Sequence, residues 1–334
     1  SMLSSNATVL ISIWNNASSK INCYFSICLF IFGVIGNALN TLVLSQRSLR
    51  SNSCAWLFLI SSIFNLISIL SGLPTRILSG WIILLTDRIT WLCKIRVFTL
   101  LTSRSIASWL IVLATLDRWL LSCKNIHYRR ISKLKNAKRG MLFILIISTI
   151  LYSPIFFCYQ ANLNNAPLKC YSKTIKCRVY ADQVYTFFTI LMPLILMMIF
   201  GFITLSNIRK IHYRAQMLLL PRSSQTTIST EHRQRLKSID RHLLAMLLIQ
   251  ISFLILFTLP QVIEMIYLTI TRNHFKTSSQ KELENSIFTF VLLLTYLASG
   301  MPFYIYTLSG GRVFRQAFLK IIRHMIQQMI GRRK

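Results

Sequence analysis

Acidic residues are scarce in this chain: eight Asp and Glu stand against 38 Lys and Arg, giving a net charge of +30 over 334 residues. Ten Gly and seven Pro are too few for a loop-rich or low-complexity protein. The eight cysteines are scattered, without a Cys-x-x-Cys pair or any metal-ligand spacing. Extended alternating strands are not visible, which excludes a membrane barrel. The apolar stretches carry no nucleophile–base pair, metal-ligand cluster or phosphate-binding loop, so no covalent chemistry, metal or cofactor is expected. Only 14% of residues are charged while 54% are hydrophobic, with a mean hydropathy of +0.54. A soluble domain could not hide that much apolar surface, and the bilayer is the solvent this composition fits.

What is present is a series of seven apolar stretches, each near the roughly 20 residues that a membrane helix needs. They are predicted over Cys23–Leu44, Cys54–Leu78, Thr90–Leu121, Met141–Cys158, Val184–Ile208, Leu243–Ile270 and Ile287–Leu308. The expected architecture is therefore an all-α bundle of seven transmembrane helices over residues 22–309. A tail of residues 1–21 precedes it and a short amphipathic helix with a basic tail, residues 310–334, follows. Most Lys and Arg fall in alternate connections and in the C-terminal tail, the pattern of a cytoplasmic face. That placement argues against nucleic acid as a partner and for contact with anionic lipid. Two sequons, Asn6-Ala7-Thr8 and Asn16-Ala17-Ser18, lie ahead of the first span and make Asn6 and Asn16 candidate glycosylation sites outside the cell. Seven spans with an outer N-terminus put the C-terminus in the cytosol.

The connection Cys123–Gly140 carries Lys124, Arg129, Arg130, Lys133, Lys135, Lys138 and Arg139. A second basic connection, Arg209–Arg241, is rich in Ser and Thr between Pro221 and Thr230. After Gly310-Gly311, the residues Val313, Phe314, Ala317, Phe318, Ile321, Ile322, Met325 and Ile330 recur at helical spacing among basic residues, a helix suited to lie on the inner membrane surface. The polar residues inside the spans are single and unmatched between halves, unlike the paired broken helices of inverted-repeat transporters.

Several ordered features together resemble class A, rhodopsin-like G-protein-coupled receptors over nearly the whole chain. Gly36-Asn37 stands in the first span. Cys93 begins the third span, and Asp117-Arg118-Trp119 ends it in the place of the family's Asp-Arg-Tyr. Pro74, Pro154, Pro193 and Pro260 lie in the second, fourth, fifth and sixth spans. Other hallmarks are altered. Asn65 stands where the family has a sodium-binding aspartate, which argues against sodium modulation. The fourth span lacks its tryptophan. The sixth reads Phe257-Thr258-Leu259-Pro260 in place of Cys-Trp-x-Pro. The seventh reads Pro302-Phe303-Tyr304-Ile305-Tyr306, with Tyr306 aligned to the motif tyrosine and Phe314 near its expected distance. The chain is closest in flavour to peptide receptors of the FMRFamide-receptor-like group. The resemblance implies a plasma-membrane receptor that passes binding of an extracellular ligand, a neuropeptide being favoured, to a heterotrimeric G protein by outward movement of the sixth helix. The alternatives are a receptor-like protein that no longer signals and a transporter or channel subunit.

The resemblance also assigns roles. Asp117, Arg118, Trp119, Asp240 and Tyr306 are the expected coupling and activation residues, with Arg118 paired to Asp117 and to Asp240 at rest. Cys93 is expected to bridge a cysteine between the fourth and fifth spans. Cys170 and Cys177 compete, and Cys177 is preferred, on a hairpin running from Lys169–Ser172 to Lys176–Val179. Leu100 occupies the position of the amine receptors' aspartate, which disfavours amine ligands, and no lysine in the seventh span could hold retinal. Arg104 lies three turns inward of Cys93, and a lone arginine at that depth wants an anion. A ligand carboxylate and an internal bridge to Glu264 are equal alternatives for it, with lipid-side snorkelling a third. Asp182, Gln261, Glu264, Tyr185, Tyr267 and Tyr296 complete the candidate ligand surface, Glu264 and Asp182 forming an acidic pair that would attract a peptide arginine. Asn37 and Asn65 are expected to act as interhelical polar contacts.

Overall fold

In the computed structural model all seven apolar stretches form helices long enough to cross a bilayer: Lys20–Leu44, Ser53–Leu78, Thr90–Ser122, Leu134–Cys158, Ile175–Lys210, Leu244–Ile270 and Ser279–Gly300. The structure describes the backbone of residues 2–78, 88–162, 170–218, 227–271, 274–309 and 314–321 together with 323 and 327, and side chains from 20 onward within those ranges except at 48, 211–243, 278 and 309. Asp87, Val313, Ile322, Met325 and Ile330 lie outside the described residues, as do the side chains of Asn6, Asn16 and Asp240. The second and third spans are the most buried and the fourth the least. Accordingly the fourth turns Phe143, Ile146, Ile150 and Phe157 outward, as lipid-facing side chains should be.

Several boundaries differ from expectation: the fourth helix begins at Leu134, not Met141, and the helix of the sixth span already at Thr227, not Leu243. The first helix runs unbroken over Met2–Leu44, so helical backbone extends through the predicted tail. The fifth begins at Ile175, where Thr174 caps it by accepting from the Cys177 amide. The seventh opens on a Thr277–Gln280 capping box at Ser278, ends at Gly300 and resumes as Pro302–Ser309. The break falls where Pro302 brings no amide hydrogen to continue the ladder. A further helix covers residues 314–321, with Phe314 and Ala317 buried against the bundle.

Proline also shapes the fifth span. Residues Val184–Leu191 adopt a π-helical register, in which the Phe188 carbonyl would accept from position 193. That position is Pro193, with no amide hydrogen to give. The orphaned carbonyl is taken instead by the Trp109 indole of the third span at 2.9 Å.

Small and polar residues hold the spans together. A Cβ on Gly36 would collide with the Gly300 carbonyl and the Tyr304 ring, so the first and seventh spans approach this closely only because the residue is glycine. Asn37 uses the approach to donate to the Ser299 carbonyl at 3.1 Å as well as to Gly33 in its own helix. Asn40 bonds Ser62, Ser105 bonds Ser148, and Tyr152 bonds Thr189. Residues that are isolated along the sequence are thus paired across spans.

The connection between the fourth and fifth spans forms a two-stranded antiparallel hairpin, β1 (Tyr159–Gln160) with β2 (Tyr171–Ser172), in register Tyr159↔Ser172 and Gln160↔Tyr171. This corrects the expected hairpin. Its first strand comes from the end of the fourth span, and residues 175–183 are helical because Thr174 nucleates them. The disulfides change with it: Cys93 bonds Cys170 and Cys158 bonds Cys177. Cys177 sits in the first helical turn beside the end of the fourth span, which gives it to Cys158. Cys170, adjoining β2, reaches the start of the third span.

Candidate functional site

The third span strings the candidate residues along one helix: Cys93 near one end, Arg104 about 16 Å along it at 1.5 Å per residue, and Arg118 at the other end. At the Cys93 end the hairpin packs Cys93, Val97, Tyr152, Ile155, Ala161 and Cys170 into one apolar cluster. Burial, the largest cause, pushes the Tyr159 and Tyr171 phenols above their usual range, so both remain neutral. Asp182 pairs with Arg178 at 3.6 Å on the surface. A separate knot closes the sixth and seventh spans: Lys276 donates to Glu284 at 2.7 Å and to Thr271, and Tyr267 donates to Glu284. Glu264, half-buried, has an Oε1 without a protein partner.

Arg104 points into the bundle and is 6% exposed. Its Nη1 donates to the Tyr185 hydroxyl at 2.8 Å, and its guanidinium lies over the Tyr296 ring, 4.2 Å from the centroid. Its Nε and Nη2 are buried without a protein partner. The anticipated bridge to Glu264 is not formed, and among the described residues Arg104 has no ion pair. Tyr296 is held by the second span, since its hydroxyl packs where a Cβ on Gly72 would stand. Leu100 packs beside the same glycine.

Arg104 borders a cavity of about 40 Å³ between the spans, lined also by Ser61, Asn65, Tyr185, Thr189, Gln250, Thr258, Thr295 and Ser299. The volume suits about three waters. Among the described residues no carboxylate lines it, and the charge on its wall is a guanidinium that cannot deprotonate. Gln261, one turn from Thr258, is fully buried with both amide atoms unpartnered.

At the far end Asp117 and Arg118 are 6% and 4% exposed. Arg118 Nη2 donates to Asp117 Oδ2 at 2.9 Å and to Asn52 Oδ1 at 3.0 Å. The other carboxylate oxygen accepts from Ser53 Oγ at 2.8 Å and from Ser132 Oγ of the following connection. Trp119 faces away from this network, its ring 5.3 Å from Phe200 and 6.1 Å from Tyr128. Tyr306 is buried between Phe58 and Phe314 and donates to Gln250 of the sixth span.

This arrangement is a bundle of apolar helices with a buried Asp117–Arg118 pair at one end and a disulfide-stapled hairpin at the other. The family model described as 7 transmembrane receptor (rhodopsin family) matches residues 41–306. The chain belongs to this family. No curated protein matches it. As a rhodopsin-family receptor it is a multi-pass membrane protein with a receptor's task rather than an enzyme's.

In this rhodopsin-family receptor Asp117, Arg118, Arg104, Tyr185, Tyr296 and Tyr306, and the Asp117–Arg118 pairing, are legible in the sequence, but several of their other partners are not. Asn52, Ser53 and Ser132 around Asp117, and Gln250 beneath Tyr306, carry no local motif. Gln250 does leave one signal: it is an amide inside the apolar sixth span, on the face shared with Thr258.

Proposed function

We propose that this rhodopsin-family receptor sits in the plasma membrane with its N-terminus and Cys93 end outside, and that it signals to a heterotrimeric G protein when an acidic peptide delivers a carboxylate to Arg104. The observation that carries this reading is the buried guanidinium with two unpartnered N–H edges and, among the described residues, no acid beside it. A charge so placed is costly until an anion meets it. The depth of about 16 Å below Cys93 suits the end of an extended peptide of about five residues at 3.4 Å each. The hairpin and its two disulfides supply a firm rim for such a ligand. The basic connections support a cytosolic Arg118 end, and the helix at 314–321 supports contact with the inner leaflet.

Ligand binding shifts the population toward an arrangement in which the sixth span swings away from Tyr306 and Arg118 leaves Asp117 for the G protein. A receptor-like protein without coupling is the weaker reading, because Tyr306 still reaches the sixth span through Gln250. The test is a screen of neuropeptides in paired free-acid and amidated forms on cells expressing the chain. Free acids should signal, amides should not, and Arg104→Met should abolish the response. Equal potency of amides, or unchanged potency of R104M, would remove Arg104 from the ligand site.

A further inference from the structure

The connection after the third span is attached to the bundle through few side chains. Its short helix Ile126–Ile131 buries none of its residues, and residues 124–131 are all exposed. Asn125 caps that helix by accepting from the His127 amide, and the Tyr128 ring rests 6.1 Å from Trp119. The polar attachment is Ser132, half-buried just after the helix, whose Oγ donates to Asp117 Oδ1. Ser132 therefore stiffens the carboxylate that holds Arg118. It is also the one Ser or Thr between Cys123 and Gly140. Arg129 and Arg130 precede it by three and two positions, and Lys133 and Lys135 follow it.

Arginines at those two upstream positions are the charge pattern that an acidic substrate groove of a basophilic serine/threonine kinase selects. We propose that Ser132 is a phosphorylation site for such a kinase, and that the phosphate detaches this connection from Asp117. This rests on the proposed reading only in placing the Arg118 end in the cytosol. In the transfer, Ser132 Oγ bonds to the γ-phosphorus of ATP, the bond from that phosphorus to the β–γ bridging oxygen breaks, ADP leaves and the hydroxyl proton passes to the kinase's base. The product has lost its donor hydrogen and carries a charge of about −1.5 to −2. Set against Asp117, it meets a like charge where a hydrogen bond stood. The helix Ile126–Ile131, with no buried residue of its own, then loses its anchor. The same weak burial lets residues 126–132 unwind into a kinase cleft.

The full-length purified receptor in lipid nanodiscs, incubated with the catalytic subunit of cyclic-AMP-dependent protein kinase and Mg-ATP, tests this without ligand or G protein. It therefore stands or falls apart from the signalling reading and from membrane orientation. Peptide mapping by mass spectrometry should find phosphate on Ser132, and the double variant R129A/R130A should lower its incorporation by about tenfold or more. Amide hydrogen exchange over residues 124–133 should be at least about fivefold faster in the phosphorylated receptor than in S132A, which loses only the donor. Absence of phosphate from Ser132 while the Ser/Thr-rich stretch 223–230 is labelled would overturn the assignment. So would exchange no faster than in S132A.

Discussion

Arg104→Met separates a ligand-seeking arginine from a structural one. The wild-type guanidinium gains about 2 kcal/mol from its desolvated stack on Tyr296 and about 2 kcal/mol from its charged bond to Tyr185. Against that stands a desolvation cost of several kcal/mol, offset by no carboxylate among the described residues. The opposing quantities nearly cancel, and methionine fills the space with an adaptable apolar chain. Stability should therefore change by no more than about 1–2 kcal/mol, a shift of a few degrees in the melting midpoint. An arginine already in an internal ion pair would instead lose about 3–5 kcal/mol, roughly 10 °C. Potency of a free-acid peptide should fall by about 100-fold or more, since truncating one partner of a buried charge pair costs about 2–5 kcal/mol. The assays are tryptophan-monitored melting of purified receptor and a concentration–response series in cells. A drop near 10 °C, or an unshifted response curve, refutes the reasoning.

Three other substitutions probe neighbouring parts. Gly72→Ala places a methyl group where the Tyr296 hydroxyl lies, so the ring must shift from beneath Arg104 at an overpacking cost of about 1–3 kcal/mol; unchanged melting and ligand potency would show the contact to be slack. Removing Cys158 and Cys177 together opens a 19-residue separation worth about 3 kcal/mol of local restraint. Amide exchange should accelerate over 170–183, the hairpin end and the first turns of the fifth span, and leave the other spans unaltered, whereas uniform protection would contradict a stabilising role. Gln250→Leu strips the acceptor from the buried Tyr306 hydroxyl, costing about 1–3 kcal/mol in the resting arrangement. Ligand-independent signalling should rise, and a variant with wild-type basal signalling and melting would rule out a latch there.

The spans were legible because twenty apolar residues in lipid leave the backbone no choice but helix. Cys93 and Arg118 could be set at opposite ends of one helix by spacing alone. The disulfide partner could not. Thr174 starts a helix where an extended strand was expected, and that local choice decides which of Cys170 and Cys177 faces Cys93. The inward aim of Arg104 likewise depends on Tyr185 in a π-helical stretch and on Tyr296 over Gly72, and on how four spans rotate against one another. Ser53 and Ser132 are unremarked hydroxyls in the sequence until folding brings both to a single carboxylate oxygen. Polar residues that read as solitary, Asn40 and Ser62 among them, pair only in three dimensions.

The latch at the third span is the centre of the account, and Asp117→Asn addresses it most directly. The substitution keeps the shape but removes the charge that holds Arg118 and turns one acceptor into a donor. A charge-assisted bond of about 1.5–3 kcal/mol corresponds to about a 10- to 150-fold change in the released population. Ligand-free nucleotide exchange should be measured with the purified variant and wild type across a panel of heterotrimeric G proteins. Faster exchange by the variant, about tenfold on at least one G protein, is the predicted result. Equal rates on every G protein would contradict it.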